Sequence, residues 1–67
     1  MTEETRAELY KNLWRIHGRQ ADRIRIALSP ADRSDSIRRS ALRFAAKRRM
    51  AIECWTVQRT FHVVRVA

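Results

Sequence analysis

The sequence contains only one cysteine, one glycine and one proline among its 67 residues. Because Cys54 is alone, no disulfide can form within the chain, and no disulfide framework holds the fold together. Because Gly18 is alone, a glycine-rich phosphate-binding loop cannot be built. The scarcity of glycine and proline leaves little room for long flexible loops, so the sequence predicts a chain made mostly of regular elements.

Long apolar stretches are also missing. No run approaches the roughly 20 apolar residues that a helix needs to span a bilayer. The first segment, MTEETRAELY, is acidic and polar, whereas a signal peptide starts with basic residues followed by an apolar stretch. We therefore expect a soluble protein of the cytoplasm, with no membrane partner.

Residues for metal binding or covalent catalysis are scarce too. Cys54, His17 and His62 are the only soft ligands, and no two of them have the short spacing of a zinc site. Cys54 and a histidine could form a nucleophile pair, but no orienting third group and no oxyanion-hole motif is visible. The sequence predicts a protein that is not an enzyme, with no catalytic residue, metal site or cofactor.

Acidic residues are outnumbered by basic ones. The chain has 15 Lys and Arg against 7 Asp and Glu, which gives a formal net charge of +8 and a pI near 11.5. Such a balance predicts an acidic partner, which can be nucleic acid, an anionic membrane surface or an acidic protein, and nucleic acid or a nucleoprotein is the favoured one. Most of the basic residues are arginines, which a GC-rich genome also favours, so a merely basic surface is the competing interpretation.

Length limits the chain to one small domain, residues 1–67. A domain of this size buries only about 60% of the surface that its unfolded chain exposes, so its own core is marginal. Efficient packing or a partner must make up the difference, and a homodimer is among the expected assemblies.

Residues 2–20 predict an N-terminal helix. Its apolar side chains recur at helical spacing and form one stripe: Leu9, Leu13 and Ile16, widened by Tyr10, Trp14 and His17. Polar residues, Asn12 among them, occupy the opposite face and are expected in solvent. Thr2 or Thr5 can cap the start of the helix, and Gly18 is expected to end it.

Residues 21–30 are ambiguous between strand and helix. Ile24 and Ile26 alternate with arginines, as in a half-buried strand, although Ile24 also continues the stripe of the first helix. The β-branched residues and Pro30 favour a short strand that ends before the proline.

Residues 31–50 predict a second helix. Asp32, Ser34 and Asp35 are candidate caps for its start. Basic residues crowd its C-terminal end, where the helix dipole favours them. Its expected buried stripe is Ile37, Ala41, Phe44 and Ala45, with Leu42 at the flank.

Residues 51–67 are rich in β-branched and aromatic side chains and predict two strands joined near residues 58–60. The connection lacks the Asn-Gly or Asp-Gly that a two-residue loop prefers, so we expect a longer loop or a bulge. Among the aromatic residues of the chain, Trp14 and Phe44 are expected in the core. Trp55 is the candidate for an exposed residue that stacks on bases.

The second helix carries the candidate binding site. Arg39, Arg43 and Lys47 stand at i, i+4 and i+8, so three cations line a stripe about 12 Å long. Contacts between such a row and phosphates give affinity without sequence readout. No carboxylate occurs between Asp35 and Glu53, which favours binding over a merely solvated face. The predicted nucleic-acid-binding residues are Arg38, Arg39, Arg43, Lys47, Arg49 and Arg59.

Two segments, SIRRSALRFAAKRR and ECWTVQRTFHVVRVA, resemble small basic proteins of unknown function that phages and prophages encode. The resemblance covers residues 23–67 and implies a β-α-β-β arrangement and a phage or prophage origin, but no biochemical role. For a phage-encoded protein the expected location is the host cytoplasm. The sequence departs from that pattern in three places, since it lacks a Gly-Gly turn, has Val64 in place of a tryptophan, and adds the N-terminal helix.

These features together predict an α+β fold, in which an N-terminal helix precedes a β-α-β-β unit. The second helix would then pack on one face of a small antiparallel sheet. The alternative is a winged helix-turn-helix, with residues 20–28 helical, residues 31–49 as the recognition helix and the tail as the wing.

Three functions fit these expectations. The first is a small nucleic-acid-binding protein that contacts phosphates through the second helix. The second is a phage-type inhibitor that binds a host nucleoprotein complex, in the manner of anti-CRISPR proteins. The third is a structural assembly subunit, held as an oligomer through an exposed hairpin edge and the apolar face of the first helix.

Overall fold

Two helices and three strands make up the chain in the computed structural model, which describes residues 1–66. In chain order they are α1 (Glu3–His17), β1 (Arg23–Ala27), α2 (Ser34–Lys47), β2 (Ile52–Val57) and β3 (Thr60–Arg65). This order confirms the predicted α+β fold, an N-terminal helix followed by a β-α-β-β unit.

The ambiguous segment before Pro30 is a strand. Ile24 and Ile26 are buried, whereas the three residues that alternate with them in β1 are exposed. Buried and exposed side chains therefore alternate along β1, as in a strand that has only one face covered. The winged-helix alternative is wrong, because it needs residues 20–28 to be helical.

The strands pair antiparallel in the order β1-β3-β2, so the last strand of the chain lies in the middle of the sheet. The register sets Ile24 opposite Val63 and Ile26 opposite Phe61, which places four apolar side chains on one face. Both helices contribute to the single core formed on that face. Its largest fully buried side chains are Phe61, Leu9, Leu13, Ile16, Ile26, Ile37 and Val63.

The packing of α1 bears on the assembly hypothesis. Leu9, Leu13 and Ile16 are all inaccessible to solvent, since the chain's own sheet and α2 cover them. The centre of the apolar face of α1 is therefore occupied within the chain itself. Within residues 1–66, the opposite face of the sheet is left uncovered by the two helices.

The two helices run side by side in the same direction. At one end, the backbone N–H of Thr2, the N-cap of α1, donates to Asp32 Oδ1 just before α2 (2.8 Å). At the other end, the guanidinium of Arg48, the C-cap of α2, lies 4.4 Å from the centre of the Trp14 ring near the end of α1. Both helix dipoles therefore point their negative ends towards the same end of the molecule.

Asp32 does not cap α2 as expected but holds the start of α1. Its carboxylate accepts hydrogen bonds from the Thr5 hydroxyl (2.6 Å) and from the N–H and hydroxyl of Ser29 (2.8 and 2.9 Å), besides that from Thr2. The N-cap of α2 is Arg33, whose side chain makes no capping hydrogen bond. The capping prediction for α2 is therefore wrong, because the carboxylate one residue earlier faces α1.

Asn12 is a second polar residue whose position differs from the expectation. It was expected in solvent and is buried. Its amide donates to the Glu8 carbonyl (2.8 Å), and its side-chain oxygen accepts from Arg15 (3.1 Å). These local bonds satisfy the side chain within α1 itself, so its burial is tolerated.

A two-residue turn, Gln58-Arg59, joins β2 to β3, and the predicted longer loop or bulge is wrong. Val57 pairs directly with Thr60, and Gln58 has a φ of 55°. A positive φ at the first turn position is typical of type II′ hairpins, which take glycine there. Gln58 therefore occupies a conformation that a side chain with a Cβ atom disfavours.

Substitutions at Gln58 test this turn. We expect Gln58→Gly to raise the free energy of unfolding by about 0.5 kcal/mol, because glycine adopts a positive φ without steric cost. Gln58→Val should lower it by about 1 to 2 kcal/mol, because a β-branched residue resists that conformation. Urea denaturation followed by circular dichroism measures both values. A glycine variant no more stable than the valine variant would show that the turn is built differently.

Candidate nucleic-acid interface

The predicted cationic row lies on the exposed face of α2. Arg39, Arg43 and Lys47 are all exposed, while the opposite side of the same helix buries Ile37, Ala41, Phe44 and Ala45 in the core. The burial of one side of α2 fixes the orientation of the other, so the three cations share one stripe about 12 Å long. We call these three residues the α2 row.

Three further predicted residues lie around the row at different distances. Arg38 is exposed one position before Arg39, and Arg49 is exposed just after the helix, with a φ of 54°. Arg59 is in the hairpin turn at the other end of α2, where its guanidinium donates to the Ser29 carbonyl (3.4 Å). Arg38 therefore adjoins Arg39 in a depression that Asp35 also lines, Arg49 follows the end of the helix, and Arg59 lies near its start.

Arg48 belongs to the same basic run but faces α1. Its guanidinium carbon lies 3.8 Å from the centre of the Phe44 ring and 4.4 Å from that of Trp14. It also donates from Nη1 to the Phe44 carbonyl (3.2 Å), one of the free carbonyls at the end of α2. Arg48 therefore joins the C-terminal ends of the two helices, and it is not part of the α2 row.

A prediction about stability follows from these contacts. Arg48→Ala should lower the free energy of unfolding by about 1 to 2 kcal/mol, because it removes a cation–π contact and a helix C-terminal hydrogen bond together. Lys47→Ala, on the exposed side of the same turn, should change it by less than about 0.5 kcal/mol. Guanidinium denaturation measures both. Equal losses in the two variants would mean that Arg48 is as solvated as its neighbour.

Trp14 corrects another expectation. It was expected in the core, yet its side chain is 51% exposed and meets the edge of Phe44 at a ring separation of 5.0 Å. With Arg43, Lys47 and other residues, it lines a shallow groove between α1 and α2. An indole therefore adjoins the α2 row, in a place where a partner bound to the row could touch it.

Acidic side chains gather at the other end of the helix pair. Four of the seven carboxylates belong to the first turns of α1 or hydrogen-bond there: Glu3, Glu4, Glu8 and Asp32. Carboxylates at a helix N-terminus and cations at a C-terminus both complement the helix dipole. The same placement puts these four carboxylates at one end of the helix pair and Lys47 and Arg49 at the other.

The open face of the sheet carries a cluster that the sequence did not indicate. Arg25, His62 and Trp55 lie directly opposite one another on β1, β3 and β2. Trp55 was singled out as a stacking candidate and is 41% exposed, but Arg25 and His62 were not predicted to lie beside it. Alternation along each strand could have indicated which face each residue occupies, but not which residues are neighbours.

The described part of the chain has neither a cluster of metal ligands nor a membrane-spanning helix. Residues 1–66 contain no group of three or more His, Cys, Asp or Glu side chains placed to hold one metal ion. No helix among them has the length and apolar character needed to cross a bilayer. Cys54 is half-buried against the core and lies opposite Val63 in the sheet.

No protein family, curated protein or solved structure matches the chain significantly, so no relative supplies a function or a set of site residues.

Proposed function

We propose that the protein is a small nucleic-acid-binding protein that contacts phosphates through the exposed face of α2. The α2 row is the observation that carries this proposal, because three exposed cations stand in line on one side of a single helix. Successive positions of the row rise by about 6 Å along the helix axis, which allows neighbouring cations to reach different phosphates of one strand.

The surroundings of the row favour a polyanion over a single charged group. Arg38 and Arg49 extend the positive surface along and beyond the helix, and no carboxylate interrupts the sequence between Asp35 and Glu53. The acidic end of α1 would be turned away from the phosphates, so the charge distribution also orients the protein on its ligand. Contacts of this kind position a protein without reading bases.

A salt series tests the proposal. Fluorescence anisotropy with labelled duplex DNA and labelled single-stranded RNA should show binding that weakens steeply between about 50 mM and 200 mM salt. Three to five phosphate contacts predict a slope of about −2.7 to −4.5 for log affinity against log salt on duplex DNA. The absence of binding at the lowest salt, or an affinity that salt does not change, would contradict the proposal.

A further inference from the structure

The uncovered face of the sheet holds a row of its own. The antiparallel registers set Arg25 opposite His62 and His62 opposite Trp55, so the three side chains cross the sheet in a single line. Neighbouring strands are about 4.8 Å apart, so the line is about 10 Å long from the first strand to the last. Because both helices cover the other face, this line and the α2 row lie on opposite sides of the molecule.

Two of these side chains already form a planar stack. The rings of Trp55 and His62 are 5.3 Å apart between centres and within 9° of parallel. Trp55 is on an edge strand and is 41% exposed, so part of its indole remains available beside the histidine. His62 therefore covers one face of the indole and holds the ring in place, and the other face, towards the edge of the sheet, is left for a ligand to stack on.

Positive charge lies next to this stack. Arg25 and Arg23 are both exposed on β1, and they line a depression of ≈ 500 Å³ together with Trp55, His62 and Val64. Glu53, opposite Val64 on β2, adds a carboxylate to the same face. The face thus combines an aromatic surface at one edge with two guanidinium groups at the other.

This combination matches an unpaired nucleotide. A base stacks on an aromatic ring whatever its sequence, and an arginine beside it can meet the adjoining phosphate. In a duplex the bases are stacked on one another and show only their edges, so their faces cannot reach a flat protein surface. We propose that the open sheet face binds single-stranded nucleic acid by stacking a base on Trp55 beside His62, with Arg25 and Arg23 on the phosphates. The inference rests on the proposed function for its ligand class, but it uses a different surface.

The fluorescence of Trp55 tests this directly. With Trp14→Phe as the reference chain, Trp55 is the only indole, and its emission can be followed during titration with a single-stranded oligothymidylate. Stacking should quench the emission, whereas an inorganic polyphosphate with the same number of phosphates should leave it nearly unchanged. Quenching of equal size by the two ligands would overturn the inference, because phosphates alone would then explain it.

Two substitutions at Trp55 separate the effect of aromatic stacking from the effect of side-chain size. Trp55→Phe should retain the preference for oligothymidylate over polyphosphate, and Trp55→Leu should lose about 5- to 100-fold of it. Equal preferences in the two variants would overturn the stacking role. Circular dichroism shows whether each variant is folded, and the leucine variant keeps an apolar side chain at the same exposed position.

A third variant distinguishes failure here from failure of the proposed function. Arg39→Gln, Arg43→Gln and Lys47→Gln together should weaken binding of polyphosphate and duplex DNA, while oligothymidylate still quenches Trp55 at higher concentration. If the row variant loses polyphosphate binding but Trp55 is never quenched, the stacking site is wrong and the phosphate row remains. If Trp55 is quenched but the row variant binds duplex DNA as tightly as the reference, the row is wrong and the stacking site remains.

Discussion

Replacing Arg39, Arg43 and Lys47 together by glutamine is expected to lower the affinity for duplex DNA by on the order of 10² to 10³-fold at about 0.1 M salt. Each phosphate contact adds about 0.9 to the slope of log affinity against log salt, so three contacts add about 2.7. If the wild-type protein and the variant bind DNA with equal affinity near 1 M salt, this difference in slope produces the expected difference in affinity at about 0.1 M salt. Glutamine keeps much of the side chain and a good helix propensity, so α2 should remain folded.

A charge-matched variant separates the row from net charge. Lys11→Gln, Arg15→Gln and Arg19→Asn also remove three exposed cations, but from α1 and the turn after it. Asparagine suits position 19 because Arg19 has a φ of 59°. We expect this variant to lose less than about tenfold, since its charges act only at a distance. Equal losses in the two triple variants would show that binding depends on overall charge and not on the row.

Replacing Asp32 by asparagine is expected to lower the free energy of unfolding by about 2 to 4 kcal/mol. The carboxylate accepts hydrogen bonds on both oxygens, from Thr2 on Oδ1 and from Thr5 and Ser29 on Oδ2. Asparagine has only one acceptor oxygen, so at least one of these donors loses its partner, and hydrogen bonds to a charged group contribute about 1.5 to 3 kcal/mol each. The total free energy of unfolding of such a small domain is only about 3 to 5 kcal/mol, so the expected loss is a large share of it.

The effect of Asp32 should depend on pH in a defined direction. Burial alone would raise its pKa, but the hydrogen bonds from Thr5, Thr2 and Ser29 outweigh burial and hold the pKa well below its ordinary value of 3.8. The unfolded chain protonates Asp32 at a higher pH than the folded chain does. The stabilisation by the ionised carboxylate is therefore fully present above about pH 5. It is lost as the pH falls below 3.8 towards the folded pKa. The stability gap between the wild-type protein and the asparagine variant should therefore narrow between about pH 5 and pH 2.

Asp35→Asn is the matched control for Asp32. Asp35 is exposed in the first turn of α2, where its charge complements the helix dipole. Its loss should cost no more than about 1 kcal/mol. Denaturant unfolding at several pH values measures both variants. If Asp32→Asn and Asp35→Asn destabilise the protein equally at pH 7, the carboxylate of Asp32 does not hold α1 as described.

Each helix and strand could be predicted from local patterns. The alternation around Ile24 and Ile26 predicted β1, and the buried stripe of α2, with Phe44 at its centre, was also correct. These periods depend only on residues a few positions apart, which is why the sequence displays them. The exposed position of the α2 row follows from the same stripe.

Contacts between distant residues could not be predicted in this way. Asp32 resembles a cap for α2, but its partners Thr2 and Thr5 lie 30 and 27 residues away. In the sequence, Arg48 is one of several cations in a basic run, and only the structure shows its contact with Trp14 of the other helix.

The line across the open sheet face also consists of residues that are distant from one another in the chain. Arg25, His62 and Trp55 become neighbours only because β3 lies between β1 and β2. The order of strands in the chain does not determine that arrangement, so the cluster could not be read from the sequence.

The central claim is that phosphates bind along the exposed face of α2, and amide chemical shifts measure this most directly. A ¹⁵N-labelled sample titrated with a short duplex DNA at low salt reports every backbone N–H of the folded chain. The account predicts the largest shift changes between Arg38 and Arg49 and the smallest in the acidic first turns of α1. If the α2 amides are unchanged at saturation, or the largest changes fall on residues 3–8, phosphates bind elsewhere and the proposed function is wrong.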